Sequence, residues 1–216
     1  MLLNNEDIEL AKLIALLHDI GRFEQLKIYN SYIDSETIDH AILGNEILFK
    51  NNLIRNFIKD NQYDDIISKS ILNHNRLSIE SNLRDRELLH VKIIRDADKT
   101  DNFRVQATDE FENIIDDANK EILENDVITE KIFNDFMNSK IIIKKECKTY
   151  LDFLICYIAF IFDFNFTSGL EYIKEMDYIN KIVNRLDYKR VETKQRMDKI
   201  KEHAIKYIDS RLREHN

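Results

Sequence analysis

A chain of 216 residues with no proline and only three glycines, Gly21, Gly44 and Gly169, has few means of making the tight turns of a sheet-rich fold. Helices joined by short polar loops are what such a sequence builds most readily. Its length allows one sizeable core, or at most two small ones. A content of 44% hydrophobic and 33% charged residues is that of an ordinary globular protein. The net charge of -8 argues against a nucleic-acid polymer or an anionic membrane as partner, since both are gripped by clustered Lys and Arg. It leaves room for a small phosphorylated substrate held through a metal. The most apolar segment, 153–162, is ten residues between Asp152 and Asp163, against ~20 for a membrane span, and reads as a core helix. No signal peptide is visible, and Cys147 and Cys156, nine apart, form no metal or redox pattern. Two such thiols suit a reducing cytoplasm.

Read in order, the chain predicts a first helix capped by Asn4 or Asn5 and running to Asp19, where Gly21 stops it. Residues 22–34 lack a clear period and read as a loop. Asp34 and Ser35 then open a second helix with His40 in its first turns and Gly44 one turn later on the same face. A glycine inside a helix costs ~1 kcal/mol against alanine, so something needs the room beside His40. A short helix is expected over 53–59, another over 63–73 with Ile66, Ile67, Ser70 and Ile71 inward and His74 at its end, and a longer one over 83–103. Further helices are expected near 109–124, 129–139, 145–163, 168–185 and 190–213, with Asp109-x-x-Glu112 and Ser168-x-x-Glu171 as capping boxes.

Chemistry concentrates where apolar runs end in polar side chains. The run 13–17 leads directly into His18-Asp19, and Asp96 interrupts the apolar stripe of Leu89, Ile93 and Phe103. A buried carboxylate without a partner costs several kcal/mol, so Asp19 and Asp96 both need a cation or strong donors. One metal site containing His18, Asp19, His40, His74 and Asp96 satisfies both. Taken singly, each has a plainer reading: His18-Asp19 as a helix-end capping pair, His40 as hydrogen-bonded to a loop, His74 as a dipole partner, Asp96 as paired with Arg22, Arg95 or Arg104. Imidazole with carboxylate suits Fe, Mn, Zn, Co or Ni, and five ligands point to one or two divalent ions with Asp19 as a bridge. His90, His203 and His215 fall outside this set, in surface or structural roles.

The run Leu17-His18-Asp19-Ile20-Gly21, followed by His40, His74 and Arg95-Asp96-Ala97-Asp98-Lys99, resembles the HD superfamily of metal-dependent phosphohydrolases. The resemblance covers residues 1 to about 105. It implies an all-α helical bundle around one or two metals, extended here by C-terminal helices, and hydrolysis of phosphoesters or nucleotides. The family pattern begins with a further histidine ligand some tens of residues before the His-Asp pair. Only seventeen residues precede His18 and none is His, so the expectation is a lost opening helix or a downstream Met taken as the start. The first ion is then expected to lose one protein ligand, and uncovered apolar surface near Leu10, Leu13 and Leu17 to favour a homo-oligomer.

Together these readings predict an all-α protein with a metal-binding core over 1–105 and a helical region over 106–216 packed on it. The expected activity is metal-dependent hydrolysis of a small phosphorylated substrate, a nucleotide being one candidate. Asp19 serves the metal-activated water, Arg22 and Lys99 hold phosphate, and Asp98 orients the ligands around the metal. The competing expectation is a catalytically impaired protein of the same fold that binds nucleotide or metal as a regulator.

Overall fold

The computed structural model describes residues 3–115 and 118–214. Every regular element among them is helical. By contacts the chain divides into two units, Met1–Asp98 and Lys99–Asn216, each with its own apolar core.

In the first unit, α1 (Asn5–Leu17) begins where Asn4 Oδ1 accepts the Asp7 amide at 2.8 Å. Leu10, Ile14 and Leu17 recur at helical spacing and are buried with Ile66, Ile67 and Ile71 of α4 (Asp64–Asn73). The segment expected to be a loop is a helix, α2 (Gly21–Tyr29), so Gly21 opens a helix rather than closing one. Its apolar period is absent because α2 buries only Gly21 and Gln25; Leu26, Ile28 and Tyr29 face water. The next helix, α3 (His40–Asn45), starts later than Asp34 and Ser35 suggest. Asp39 is its cap, accepting the amides of Ala41 (2.8 Å) and Ile42 (3.2 Å), while Asp34 is used elsewhere. A π-turn (Glu46–Lys50) and a single 3-10 turn (Leu53–Asn56) lead on to α4.

The room beside His40 belongs to backbone. A Cβ on Gly21 would lie 2.1 Å from the His40 carbonyl oxygen and 2.6 Å from the Gly44 nitrogen, and a Cβ on Gly44 would lie 3.1 Å from the Gly21 nitrogen. Two glycines therefore let α2 and α3 touch main chain to main chain, which seats His40 within reach of the end of α1.

Helix α5 (Asp85–Thr108) carries the chain into the second unit. There Asp109-x-x-Glu112 caps nothing; a 3-10 turn (Phe111–Asn113) occupies that stretch, and α6 (Lys120–Asn125) is capped by Asn119. Then follow α7 (Glu130–Met137), α8 (Tyr150–Ile158), α9 (Thr167–Glu175), α10 (Tyr178–Asn184) and α11 (Val191–Arg213). Asp177, with φ 56, breaks the expected 168–185 helix into α9 and α10, and Ser168 makes no cap. Buried Asp152 accepts from Thr129 N, Thr129 Oγ1 and Lys148 N, which fixes the start of α8 against the start of α7. Met197, Ile200, Ala204 and Ile208 line the inner face of α11. Among the described residues no helix is long and apolar enough to cross a membrane.

Because its Cβ would strike backbone, Gly21→Ala is expected to destabilise the first unit by about 1–3 kcal/mol. Gly44→Ala, with a 3.1 Å contact and a gain in helix propensity to offset it, should change stability by less than ~1 kcal/mol. Chemical denaturation followed by circular dichroism compares the two.

Candidate metal centre

Three helix ends converge in the first unit. His18 is the C-cap of α1 and His74 the C-cap of α4, so each ring finds the carbonyl three residues back within its own last turn. His18 Nδ1 is 2.8 Å from Ala15 O, and His74 Nδ1 is 2.7 Å from Ile71 O. His40 stands at the opposite end of its helix, as the first residue of α3, and its Nδ1 is 2.6 Å from Asp34 Oδ2. All three Nδ1 atoms face oxygen acceptors and therefore carry the ring proton, which leaves Nε2 as a lone pair on each neutral ring.

Those lone pairs meet around Asp19. His40 Nε2 is 3.1 Å and His74 Nε2 3.5 Å from Asp19 Oδ1, and the two Nε2 atoms are 2.9 Å apart. His18 Nε2 is 3.7 Å from Asp19 Oδ2. Asp19 Oδ1 is buried and no donor hydrogen-bonds to it. Acceptors packed this closely repel one another unless a cation lies between them. Without a metal that cation is a proton on His40: burial would lower its pKa, but Asp19 and Asp34 outweigh burial and raise it to about 9. Asp19 itself is held far below the usual carboxylate range, the imidazoles of His40, His74 and His18 prevailing over burial. Nitrogen and carboxylate oxygen suit Zn, Fe, Mn, Co or Ni, so the residues present fit a divalent ion.

Of the residues expected at a site, the structure thus brings together His18, Asp19, His40 and His74. The ligand atoms of His18, Asp19 and His74 lie within 4.8 Å of one another. Asp96 is buried on α5 and is not part of that group of close ligand atoms. The carboxylate two places on, Asp98, has its Oδ1 3.9 Å from His18 Nε2. Arg22 reaches the cluster edge: Nε is 3.8 Å from Asp19 Oδ1, and Nη1 donates to Tyr32 O (2.9 Å) and Asp34 Oδ1 (3.1 Å). Lys99 is buried in the second unit with its Nζ 2.6 Å from Asp163 Oδ2. His90 is buried with Nε2 3.0 Å from Asp7 Oδ1, and His203 Nε2 is 2.9 Å from Ser139 Oγ; His215 lies outside the described residues. Sequence reasoning missed Asp34 and Gln25 as parts of this centre. A histidine at the start of a helix, with no helical carbonyl three residues back, was the signal for the former.

The signs of the pKa shifts set a pH dependence. His40 contributes stability that is complete below its ordinary pKa of 6.5 and lost as pH rises toward about 9. Asp34, held near 2 because hydrogen bonds from His40 and Gln25 overcome burial, contributes stability present above its ordinary 3.8 and lost only as pH falls toward 2. Metal-free protein should therefore show a falling Tm between pH 6.5 and 9. An added divalent ion needs the neutral imidazole, so the Tm increase it produces should grow over that same interval. Thermal melts with chelator and with zinc at a series of pH values measure both slopes.

The HD-domain family model matches residues 1–102. No curated protein and no solved structure matches the chain. The matched span contains His18, Asp19, His40, His74 and Asp98, and the match identifies residues 1–102 as an HD domain, the domain of a superfamily of metal-dependent phosphohydrolases.

Proposed function

We propose that this protein hydrolyses a small phosphorylated substrate, a nucleotide among the candidates, at a metal centre built by His18, Asp19, His40 and His74. The reading rests on one observation above all: the Nε2 atoms of three imidazoles converge on the two carboxylate oxygens of Asp19. Asp19 presents its two oxygens to different neighbours, Oδ1 to His40 and His74, Oδ2 to His18. Were metal bound, His40, His74 and Asp19 would hold it, and His18 with Asp98, 3.9 Å from its Nε2, would be at hand for a further ion. A divalent ion, when bound, activates water as nucleophile and offsets charge on the phosphoryl oxygens.

The chain's own groups do the rest. Asp19, ionised through the whole physiological range, accepts protons poorly and keeps both oxygens available to a cation. Arg22 is half-buried beside it, with Nη1 on Tyr32 O and Asp34 Oδ1 and Nε facing Asp19; Nη2 has no partner among the described residues and can donate to a phosphoryl oxygen. Lys99 would serve phosphate only by leaving Asp163.

Protein reconstituted with Mn, Fe, Co, Ni or Zn should turn over members of a panel of phosphomonoesters, phosphodiesters, nucleotides and dinucleoside polyphosphates. Asp19→Asn and His40→Ala should lower kcat/KM at least ~100-fold, since even residues behind metal ligands cost 10–100-fold. Arg22→Ala should cost about tenfold, the loss of one charge-assisted hydrogen bond. Absence of turnover with every metal overturns the hydrolase; saturable nucleotide binding in that case would favour the regulatory reading.

A further inference from the structure

His18 and His74 owe their orientation to their own helices, because a C-cap ring lies over carbonyls that the last turn leaves unpaired. His40 cannot do this. At the first position of α3 the residue three back, Thr37, precedes the helix, and the ring must find its acceptor elsewhere. It finds the carboxylate of Asp34, a charged acceptor where the other two rings have neutral ones. Asp34 is in turn fixed at its other oxygen: Oδ1 accepts from Gln25 Nε2 at 2.9 Å and from Arg22 Nη1 at 3.1 Å. Gln25 is fully buried on α2, and its amide also lies 2.9 Å from Thr37 Oγ1 and 2.8 Å from Ile38 O, so it ties the whole connection between α2 and α3.

We infer that Asp34, clamped by Gln25 and Arg22, is a positioning residue for the metal centre. It fixes His40 with the proton on Nδ1 and turns Nε2 toward Asp19. Resting on the metal-centre reading above, this adds a device outside the ligand set. Every hydrogen bond in the chain has a defined donor: Gln25 and Arg22 donate to Oδ1, the His40 ring donates to Oδ2, and Nε2 keeps its lone pair for the ion. A carboxylate held against Nδ1–H makes the imidazole a stronger ligand than a carbonyl does. His40 is thus the ligand whose strength depends on a side chain from another part of the chain.

Zinc titration of the full-length metal-free protein by calorimetry tests the inference without reference to catalysis. Asp34→Ala should weaken zinc binding 10–100-fold. Asp34→Asn keeps the shape but must point its amide NH2 either at the Nδ1–H of His40 or at the Gln25 and Arg22 donors, and should weaken binding about tenfold with circular dichroism unchanged. In the zinc-loaded wild type, proton–nitrogen correlation spectra should show a slowly exchanging proton on His40 Nδ1, lost in Asp34→Ala. Wild-type zinc affinity in both Asp34 variants, with binding abolished in His40→Ala, would overturn the positioning role and leave the metal centre standing. Failure of the wild-type protein to bind zinc, cobalt or manganese would instead remove the metal centre itself.

Discussion

Lone pairs from three imidazoles and a carboxylate, brought within 3–4 Å of each other inside a protein, define a place that only positive charge can fill. The rest of the first unit is arranged around that requirement. Each helix delivers its ligand by an end rather than by a face: α1 and α4 by the residue that caps their C-terminus, α3 by its first. Helix ends are where backbone polar groups are unpaired, so the hydrogen bonds that orient the rings come at little cost to the helices. The exception is His40, and the polar connection between α2 and α3 exists to supply what its helix cannot.

How much of this was legible in the sequence depended on whether the signal was local. His18-Asp19 at the end of an apolar run, and His74 after Ile66, Ile67 and Ile71, announced themselves because helix periodicity places them unaided. The all-helical class followed from the near absence of turn-forming residues. What could not be read was α2, whose contact with α3 is made by the backbones of Gly21 and Gly44 and by the amide of Gln25. Apolar patterning carries no record of main chain touching main chain. Asp34 was misassigned for a related reason: an acidic residue ahead of a helix reads as a cap, and the true cap, Asp39, lies five residues on. Asp98 shows the limit of periodicity itself, since its approach to His18 depends on where α5 lies against the end of α1, which no apolar pattern records.

In the second unit the errors are of another kind. The expected helix over 145–163 gives way to a 3-10 segment at Ala159–Asp163, and the expected 168–185 helix breaks at Asp177. Both breaks occur within apolar periodic sequence, where continuing the helix would satisfy local propensity. Packing decides instead: Ala159, Ile161, Ile179, Ile182 and Val183 are all buried in one cluster with Ile200, Ala204 and Ile208 of α11. A single straight helix presents one stripe, so a core approached from more than one side favours shorter pieces.

The two cores differ in kind, and the difference bears on the metal centre. Among the described residues, the second unit's core gathers 28 buried apolar side chains, the first unit's nine. Of fourteen buried polar or charged residues, ten lie in the first unit, among them Gln25, His40, Asn73, His74, His90, Arg95 and Asp96. An interior so polar gains less from burial and depends on each group finding its partner. Asn73 and Arg95 show how this is met away from the centre: the Asn73 amide donates to Lys69 O, and Arg95 Nη1 donates to Asn73 O at 2.9 Å. At the centre, Asp19 Oδ1 has no such fixed partner, and its charge is balanced either by a proton on His40 or by an ion. Filling it ties α3, which contributes no side chain to the small apolar core, to α1 and α4, which supply most of it. Ligand binding and folding of the first unit are therefore one equilibrium, and any change that loosens the α2–α3 contact must also weaken the site that α3 serves.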